Sequence, residues 1–231
     1  MNCVILQPSY IPWRGYFDQI RCADVFVFYD DVQFDKGGWR HRNKIYTPAG
    51  PQWLSIPVKS KGHLLNALQV KDVLIDWSQN WIVKHWRSIC QNYARSPFFN
   101  EVSSMLQPFY DSHPETLCDL VIPLTIRISE FLGFSTRFLR SSDISIGGSQ
   151  TERLVNIVKA NSCSHYISGP SARSYLDETQ FASSGISLQY VVYDYPEYAQ
   201  LHKPFEPQVS IIDLLFMVGP NAAKYIGTDK D

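Results

Sequence analysis

Short apolar runs alternate with amphipathic stretches along most of the chain. Residues 3–6 and 25–29 are continuous apolar runs, which are typical of strands buried on both faces of a parallel sheet. Between them, apolar residues recur with helical spacing over residues 16–23. The opening of the chain therefore predicts a strand, a loop, a helix and a second strand, which together form a βαβ unit.

The same alternation continues toward the C-terminus. Further strands are predicted at residues 136–139, 165–168 and 188–193, and helices at 76–93, 97–105, 114–132, 149–161 and 210–218, with shorter helical turns at 171–176 and 180–185. Asp76 is the expected N-cap of the first of these helices, and Gly133 the expected end of the long one.

A Pro/Gly turn separates residues 44–47 from residues 53–58 and predicts a hairpin, which a polar loop at 60–66 follows. Strands that alternate with helices indicate an α/β fold. We expect a Rossmann-like, mainly parallel sheet flanked by helices, with a small hairpin insertion near residues 44–58.

Composition narrows the class of protein. The 231 residues carry no linker, repeat or low-complexity tract, so one domain over residues 1–231 is expected. With 45% apolar and 19% charged residues the chain is globular, and a net charge of −1 without a basic block argues against nucleic acid as a partner. No run is long enough to span a bilayer, and a signal peptide is not evident, so we expect a cytoplasmic protein.

Five cysteines are scattered singly, without a CxxC pair, at Cys3, Cys22, Cys90, Cys118 and Cys163. This usage indicates free thiols in a reducing compartment, and no metal site is expected.

Polar and aromatic residues gather where the first strand ends. The loop into the first helix supplies six candidate ligand-binding residues: Gln7, Tyr10, Trp13, Arg14, Gly15 and Tyr16. Glycine permits close approach of a ligand to the backbone, and a helix N-terminus favours an anion. The alternative is a rigid loop whose Trp13 plugs the core.

A second cluster follows the strand at 25–29. Asp30 comes directly after this strand and suits a base or an orienting group, while Gln33, Trp39, Arg42 and Asn43 follow as candidate binding residues. The alternative is that Asp30–Arg42 or Asp31–Arg40 ion pairs merely organise a loop.

A third candidate is the turn at Ser168 and Gly169, whose backbone N–H groups suit an anion. It lacks the GK[ST] ending of a P-loop and the GxSxG of a nucleophile elbow, so an ordinary strand–helix connection is the alternative. Among the histidines, His85 and His41 are candidates for proton transfer because imidazole titrates near neutral pH, although a core position is the alternative for His85.

Four long stretches carry a family resemblance: QPSYIPWRGYFDQI, ADVFVFYDDVQFDKGGWRHRNKI, SHYISGPSARSYLDE and FEPQVSIIDLLFMVG. They resemble the WbqC-like family of bacterial proteins over residues 4 to about 219. Such proteins are associated with gene clusters for the O-antigen of lipopolysaccharide and for other surface polysaccharides. The resemblance implies a cytoplasmic transferase that acylates or aminoacylates the amine of a nucleotide-linked amino sugar.

A more distant similarity concerns mechanism. The order of elements is similar to that of pantothenate synthetase, an adenylate-forming amide ligase, and Trp13-Arg14-Gly15-Tyr16 falls where that class has HxGH. Both histidines are absent, which implies a preactivated donor in place of ATP. An acyl thioester, of CoA or of an acyl carrier protein, is then the expected co-substrate, with no tightly bound cofactor.

The implied roles follow from these resemblances. Asp30 or His85 would be the catalytic base. Arg14, Arg42 and Asn43 would hold phosphate or carbonyl oxygens. The aromatic side chains that would line the pocket for the sugar or the nucleobase are Tyr10, Trp13 and Trp39. Two alternatives remain: an ATP-dependent amide ligase of the adenylate-forming type, and a non-catalytic ligand- or carrier-binding protein. A homo-oligomer is left open.

Overall fold

Five parallel strands form the central sheet. A computed structural model describes residues 1–61 and 67–227, so residues 62–66 of the predicted polar loop, with His63, lie outside the described residues. The strands are β1 (Asn2–Leu6), β2 (Val25–Phe28), β3 (Arg42–Thr47), β4 (Gly50–Ser55), β5 (Arg137–Arg140), β6 (His165–Ser168) and β7 (Ser187–Tyr190). Five of them pair in the order β5-β2-β1-β6-β7, and β3 and β4 form a separate antiparallel hairpin.

The strand order confirms the predicted Rossmann-like sheet. From the central β1 the chain first adds β2 and β5 on one side, and then crosses to add β6 and β7 on the other. The order therefore reverses between β1 and β6. In open α/β sheets the loops that leave such a switch point diverge, and the crevice between them is where ligands bind.

Helices cover both faces of the sheet. They are α1 (Arg14–Arg21), α2 (Trp81–Tyr93), α3 (Phe99–Tyr110), α4 (Leu117–Phe131), α5 (Gln150–Ala160), α6 (Glu178–Ser183) and α7 (Ile211–Val218). Side chains alternate along each strand, so Val4, Phe26 and Phe28 join the core formed with α1–α4 and α7, whereas Cys3 and Val25 join the core formed with α5 and α6.

The hairpin forms as predicted, but its second strand begins three residues early. We expected residues 53–58, and β4 spans Gly50–Ser55. The Thr47 hydroxyl closes a tight turn by accepting from the backbone N–H of Ala49 (3.2 Å) and donating to the Gly50 carbonyl (2.7 Å). Gly50 takes a φ of 101°, a conformation that favours glycine, and this allows strand pairing to begin there.

Helix boundaries differ from the predictions where polar side chains bind elsewhere. Asp76 is not an N-cap, because its carboxylate accepts from the Ser78 N–H (3.0 Å) in a turn, and α2 begins only at Trp81. Helix α4 begins at Leu117, where Thr116 forms a capping box, and ends as predicted before Gly133, whose φ is 77°.

A buried carboxylate joins the ends of β2 and β5. Asp30 is fully buried and accepts from Arg140 Nε (2.7 Å), the backbone N–H of Ser142 (3.0 Å), the Ser142 hydroxyl (2.9 Å) and the Ser141 hydroxyl (3.1 Å). Asp31 pairs with Arg153 of α5. The ion pairs Asp30–Arg42 and Asp31–Arg40, considered as alternatives, are therefore wrong in their partners, since the arginines come from β5 and α5.

This network predicts a large structural effect at Asp30. Asp30→Ala removes the acceptor of Arg140 and of three other N–H or O–H donors, and should lower the free energy of unfolding by about 3 kcal/mol. The value lies at the low end for a buried pair because the Arg140 side chain is 34% exposed. Chemical denaturation measures it. Asp143→Ala, an exposed site in the same turn, should change stability by less than about 0.5 kcal/mol; equal effects of the two variants would contradict the assignment.

Candidate functional site

A cavity of about 620 Å³ opens at the switch point of the sheet. This switch-point cavity is lined by the end of β1, the residue after β2, the loop before β3, the first half of α5, β6 and the segment after β6. The lining residues are Ile5, Leu6, Gln7, Tyr29, Asp35, Gly38, Arg40, Gln150, Thr151, Leu154, Tyr166, Tyr175 and Leu176. Its size is in the usual range for small-molecule sites, about 300–1,000 Å³.

Two smaller cavities share walls with it. The inner chamber, about 250 Å³, lies against β1 and β6 and includes Gln19, Ser168, Gly169 and Tyr193 in its lining. The hairpin chamber, about 300 Å³, lies beside β3 and is lined by Ser9, Pro12, Trp13, Tyr16, Trp39, Arg40, Asn43 and Gln208. Arg40 lines all three cavities, and Trp13 and Tyr16 line both smaller ones.

Arg40 is the cation at this junction. Its guanidinium donates from Nη1 to the carbonyl of Gln7 (3.1 Å), and no described carboxylate lies within the 4.0 Å of an ion pair. Burial lowers the pKa of Arg40, an effect opposed by Tyr16 and Asp35, yet an arginine keeps its charge. The guanidinium has five N–H donors and one hydrogen-bond partner among the described residues, so it has capacity for an anionic ligand.

The loop after β1 places Trp13 and Tyr16 in the site. Tyr16 donates to the Gln7 carbonyl (3.1 Å), and the ring of Trp13 contacts Tyr193 edge-on, with centroids 4.9 Å apart. Gly15 makes this possible, because a Cβ at its position would overlap the Trp13 ring. We expected Gly15 to leave space for a ligand, but the Trp13 side chain occupies that space.

Several predicted binding residues do line the cavities. Gln7 borders the switch-point cavity, Trp39 and Asn43 the hairpin chamber, and Ser168 and Gly169 the inner chamber. The Asn43 amide is already bonded, since Nδ2 donates to the Ile11 carbonyl (2.9 Å) and Oδ1 accepts from the Lys44 N–H (2.8 Å). Asn43 therefore shapes the chamber wall more than it offers hydrogen bonds.

Other predicted binding residues lie away from the three cavities. Tyr10 is fully buried and bonds His85 Nδ1 (3.0 Å) and the Tyr110 hydroxyl (2.8 Å). Arg14 points to the C-terminal segments, where it donates to the Pro196 carbonyl (2.8 Å) and lies over the Tyr195 ring (4.8 Å).

Gln33 and Arg42 also lie outside the three cavity linings. Gln33 is exposed and forms an isolated bridge with Gln69. Arg42 donates to the carbonyls of Gly37 (2.6 Å) and Gly38 (3.3 Å) and lies over the exposed Trp53 ring (4.8 Å). It holds the loop that carries Arg40 and is not itself in a cavity lining.

The two expected catalytic bases do not line these cavities either. The Asp30 oxygens accept the four hydrogen bonds that join β2 to β5. His85 is buried between Tyr10 and Trp81, and burial lowers its pKa to about 4, so the imidazole is neutral at pH 7. His41 is also buried, where burial and then Arg42 lower its pKa, and it packs against Phe34.

Sequence reasoning did not select several residues that line the cavities, above all Arg40, Gln19, Tyr166, Tyr175 and Tyr193. Arg40 and Arg42 both lie in the segment WRHRN, and residue spacing does not distinguish one arginine from the other. The sequence predicts a strand at 188–193 that includes Tyr193, whereas β7 ends at Tyr190 and the following segment turns Tyr193 toward α1. The relevant contacts join distant segments, so the sequence carries no local signal for them.

The described residues contain no group of three or more His, Cys, Asp or Glu side chains placed to hold a metal ion. The five cysteines are free, and burial raises the pKa of Cys118 to about 12, which disfavours its thiolate. None of the described helices is both long and apolar enough to cross a membrane.

Comparison with known proteins finds sequence similarity along nearly the whole chain. The model of the WbqC-like protein family matches residues 7–225. An uncharacterized protein of Mycobacterium tuberculosis, Rv1507c, is 42% identical over 224 residues, which are 96% of each chain. No solved structure matches the chain.

The packing of Trp13 over Gly15 predicts a coupled pair. In the native background Gly15→Ala should cost about 1–3 kcal/mol of stability, because its methyl group displaces the Trp13 ring. In a Trp13→Ala background the same change should stabilise α1 by about 0.5–1 kcal/mol, since alanine is the better helix former. A double-mutant cycle by denaturation measures the difference, and additive effects would show that the two side chains are not coupled.

Burial of neutral His85 predicts a pH dependence. The folded pKa of about 4 lies below the unfolded value near 6.5, so the stabilising contribution is complete above pH 6.5 and is lost as pH falls toward 4. Stability should fall by roughly 3 kcal/mol over this window through His85. His85→Gln should flatten the curve by that amount, whereas His165→Gln, at an exposed site, should not. Parallel curves for wild type and His85→Gln would overturn the assignment.

Proposed function

The chain belongs to the WbqC-like family, and we propose that it transfers an acyl or aminoacyl group from a thioester to the amine of a nucleotide-linked amino sugar. The observation that carries this proposal is the Arg40 guanidinium, which has no described carboxylate partner and lies where three cavities meet at the switch point of a Rossmann-like sheet.

The switch-point cavity suits the nucleotide diphosphate. Arg40 supplies charge and a planar fork of donors that matches phosphate oxygens. Helix α5 begins at the same cavity with Gln150 and Thr151, and its positive end adds to the attraction of an anion. Tyr29 and the exposed Tyr175 offer ring faces for a nucleobase or ribose.

The hairpin chamber suits the acyl donor. It shares the lining residues Arg40, Trp13 and Tyr16 with the inner chamber. We therefore place the acyl carbonyl beside these residues, where the hairpin chamber lies next to the sugar amine. Its rim carries the exposed Trp39 and Trp53, with Lys44 Nζ 5.6 Å and 5.2 Å from their ring centroids. A cation beside apolar rings suits the phosphates and apolar chain of a CoA or carrier-protein thioester.

The proposed reaction needs no nucleophile from the protein. The sugar amine attacks the thioester carbonyl, the C–N bond forms, and the carbonyl oxygen gains negative charge that Arg40 stabilises. Collapse of the tetrahedral adduct breaks the C–S bond and releases a thiolate. The amine proton passes to a base and then to the thiolate, which leaves an amide and a free thiol.

The base assignment differs from our expectation from sequence. Asp30 and His85 lie outside the three cavities, whereas the Asp35 carboxylate borders the switch-point cavity beside Arg40 and is exposed. One Asp35 oxygen accepts from the Gly37 N–H (2.8 Å), which orients the group. We assign to Asp35 the role of accepting the amine proton, and to Asp30 that of holding β2 against β5.

Titration calorimetry with UDP, dTDP and GDP tests the binding step. Arg40→Gln should weaken the diphosphate that wild type binds by about 10- to 100-fold, because a charge-assisted contact is lost. Arg127→Gln, on the exposed face of α4, should not change it. A panel of the matching nucleotide-amino sugars with acyl and aminoacyl thioesters, followed by mass spectrometry, should yield an amide and a thiol, and Asp35→Asn should slow its formation.

Other outcomes would replace the proposal. Release of AMP or pyrophosphate that depends on a free carboxylate would show an ATP-dependent amide ligase. Binding of a nucleotide-sugar without product across the whole panel would favour the non-catalytic alternative. Equal binding by Arg40→Gln and wild type would remove the observation on which the proposal rests.

A further inference from the structure

A glutamine on α1 faces the inner chamber with part of its amide unused. Gln19 is 4% exposed, and its Nε2 donates to the Tyr193 hydroxyl (2.8 Å). Its Oε1 is buried and has no hydrogen-bond partner among the described residues. Both residues line the inner chamber, together with Ser168 and Gly169 of the turn after β6.

An unpartnered buried amide atom is costly, because folding removes water from it without a replacement. Exchanging the amide oxygen and nitrogen does not remove the problem. In either orientation one amide atom bonds Tyr193 and the other has no hydrogen-bond partner among the described residues. A side chain in this position is satisfied once a ligand brings a polar group to it.

Gln19 and Tyr193 together offer a ligand one hydrogen-bond acceptor and one donor. When Gln19 Nε2 donates to the Tyr193 oxygen, Gln19 Oε1 remains as an acceptor and the Tyr193 hydroxyl hydrogen remains as a donor. Gly169 keeps this space open, since a Cβ there would lie 3.2 Å from the Tyr193 hydroxyl oxygen. Neighbouring hydroxyls, or a hydroxyl beside an amine or amide, match an acceptor next to a donor.

We propose that the inner chamber is a sugar-recognition subsite, in which Gln19 and Tyr193 bond polar substituents of a pyranose ring and thereby determine which sugar is accepted. The Trp13 ring, which lines the same chamber, supplies an apolar face for the C–H side of the ring. The volume of about 250 Å³ suits one monosaccharide. The inference rests on the proposed function in identifying this sugar with that of the nucleotide-sugar.

The inner chamber lies beside the proposed diphosphate site. The switch-point cavity and the inner chamber share Ile5, Leu6, Arg40, Tyr166 and Tyr175 in their linings, so the two cavities are neighbours. A diphosphate bound at Arg40 would therefore lie next to the inner chamber, because Arg40 lines both cavities. The sugar of a nucleotide-sugar follows its diphosphate into that chamber.

Stability of the ligand-free protein gives a test that does not depend on the reaction. Gln19→Met/Tyr193→Phe replaces the pair by apolar groups of similar shape, so Tm should stay level or rise. Gln200→Met is the matched control. Gln200 is buried too, but it donates to Asp213 (2.8 Å) and accepts from the Glu206 N–H (2.8 Å), so its loss should lower Tm. A fall of more than about 4 °C in the double variant would show that Gln19 and Tyr193 serve folding, and would overturn the proposal.

Affinity gives the second test. Calorimetry compares UDP, dTDP and GDP with UDP-N-acetylglucosamine, UDP-glucosamine, dTDP-glucose and GDP-mannose. Gln19→Met should weaken at least one nucleotide-sugar by about 5- to 100-fold and leave its diphosphate within twofold. Gln19→Glu, which keeps an acceptor oxygen, should restore part of the loss.

The outcomes separate this inference from the proposed function. Equal effects of Gln19→Met on diphosphate and nucleotide-sugar, or no effect on either, would overturn the sugar subsite while the diphosphate site stands. Discrimination by Gln19 among nucleotide-sugars that are bound but never acylated would support the subsite and count against the transferase. No binding of any probe would overturn both.

Discussion

The fold depends on the main-chain pairing of β1 with strands on both of its sides. Cys3 is in register with Val25 of β2 and with Tyr166 of β6, so the first strand of the chain lies at the centre of the sheet. The loop that follows the carboxyl end of β1 therefore lies between the segments that follow β2 and β6. Because the strand order reverses there, these segments diverge and leave the cavity that they line. The position of the site is thus a consequence of strand order.

Polar residues near this edge have two different uses, and hydrogen-bond capacity distinguishes them. Asp30 and Asn43 have their oxygens occupied by protein donors, so they hold the framework. Arg40 and Gln19 retain unused donors or acceptors at a cavity wall. A buried polar group stabilises the fold only when it is paired, so the unpaired ones at a cavity are the strongest candidates for ligand binding.

Much of the architecture follows from patterns in the sequence. The continuous apolar character of residues 3–6 and 25–29 predicts buried strands, and a Pro/Gly turn between two short runs predicts the hairpin. Boundaries were less well predicted where a side chain bonds outside its own element. Asp76 closes a turn in place of a helix N-cap, and Thr47 starts β4 early. Such contacts depend on local geometry that residue type alone does not specify.

The sequence by itself determined the α/β class, the family and the segment, from Gln7 to Asn43, that supplies much of the site. It did so because hydrophobic periodicity and residue type are local properties. Only the tertiary structure decided which side chains of that segment face a cavity. Arg40 and Arg42 are two residues apart and chemically identical, yet Arg40 lines all three cavities and Arg42 lies over Trp53. That choice depends on the packing of β1, α1 and the hairpin against one another, which involves contacts between residues far apart in the chain.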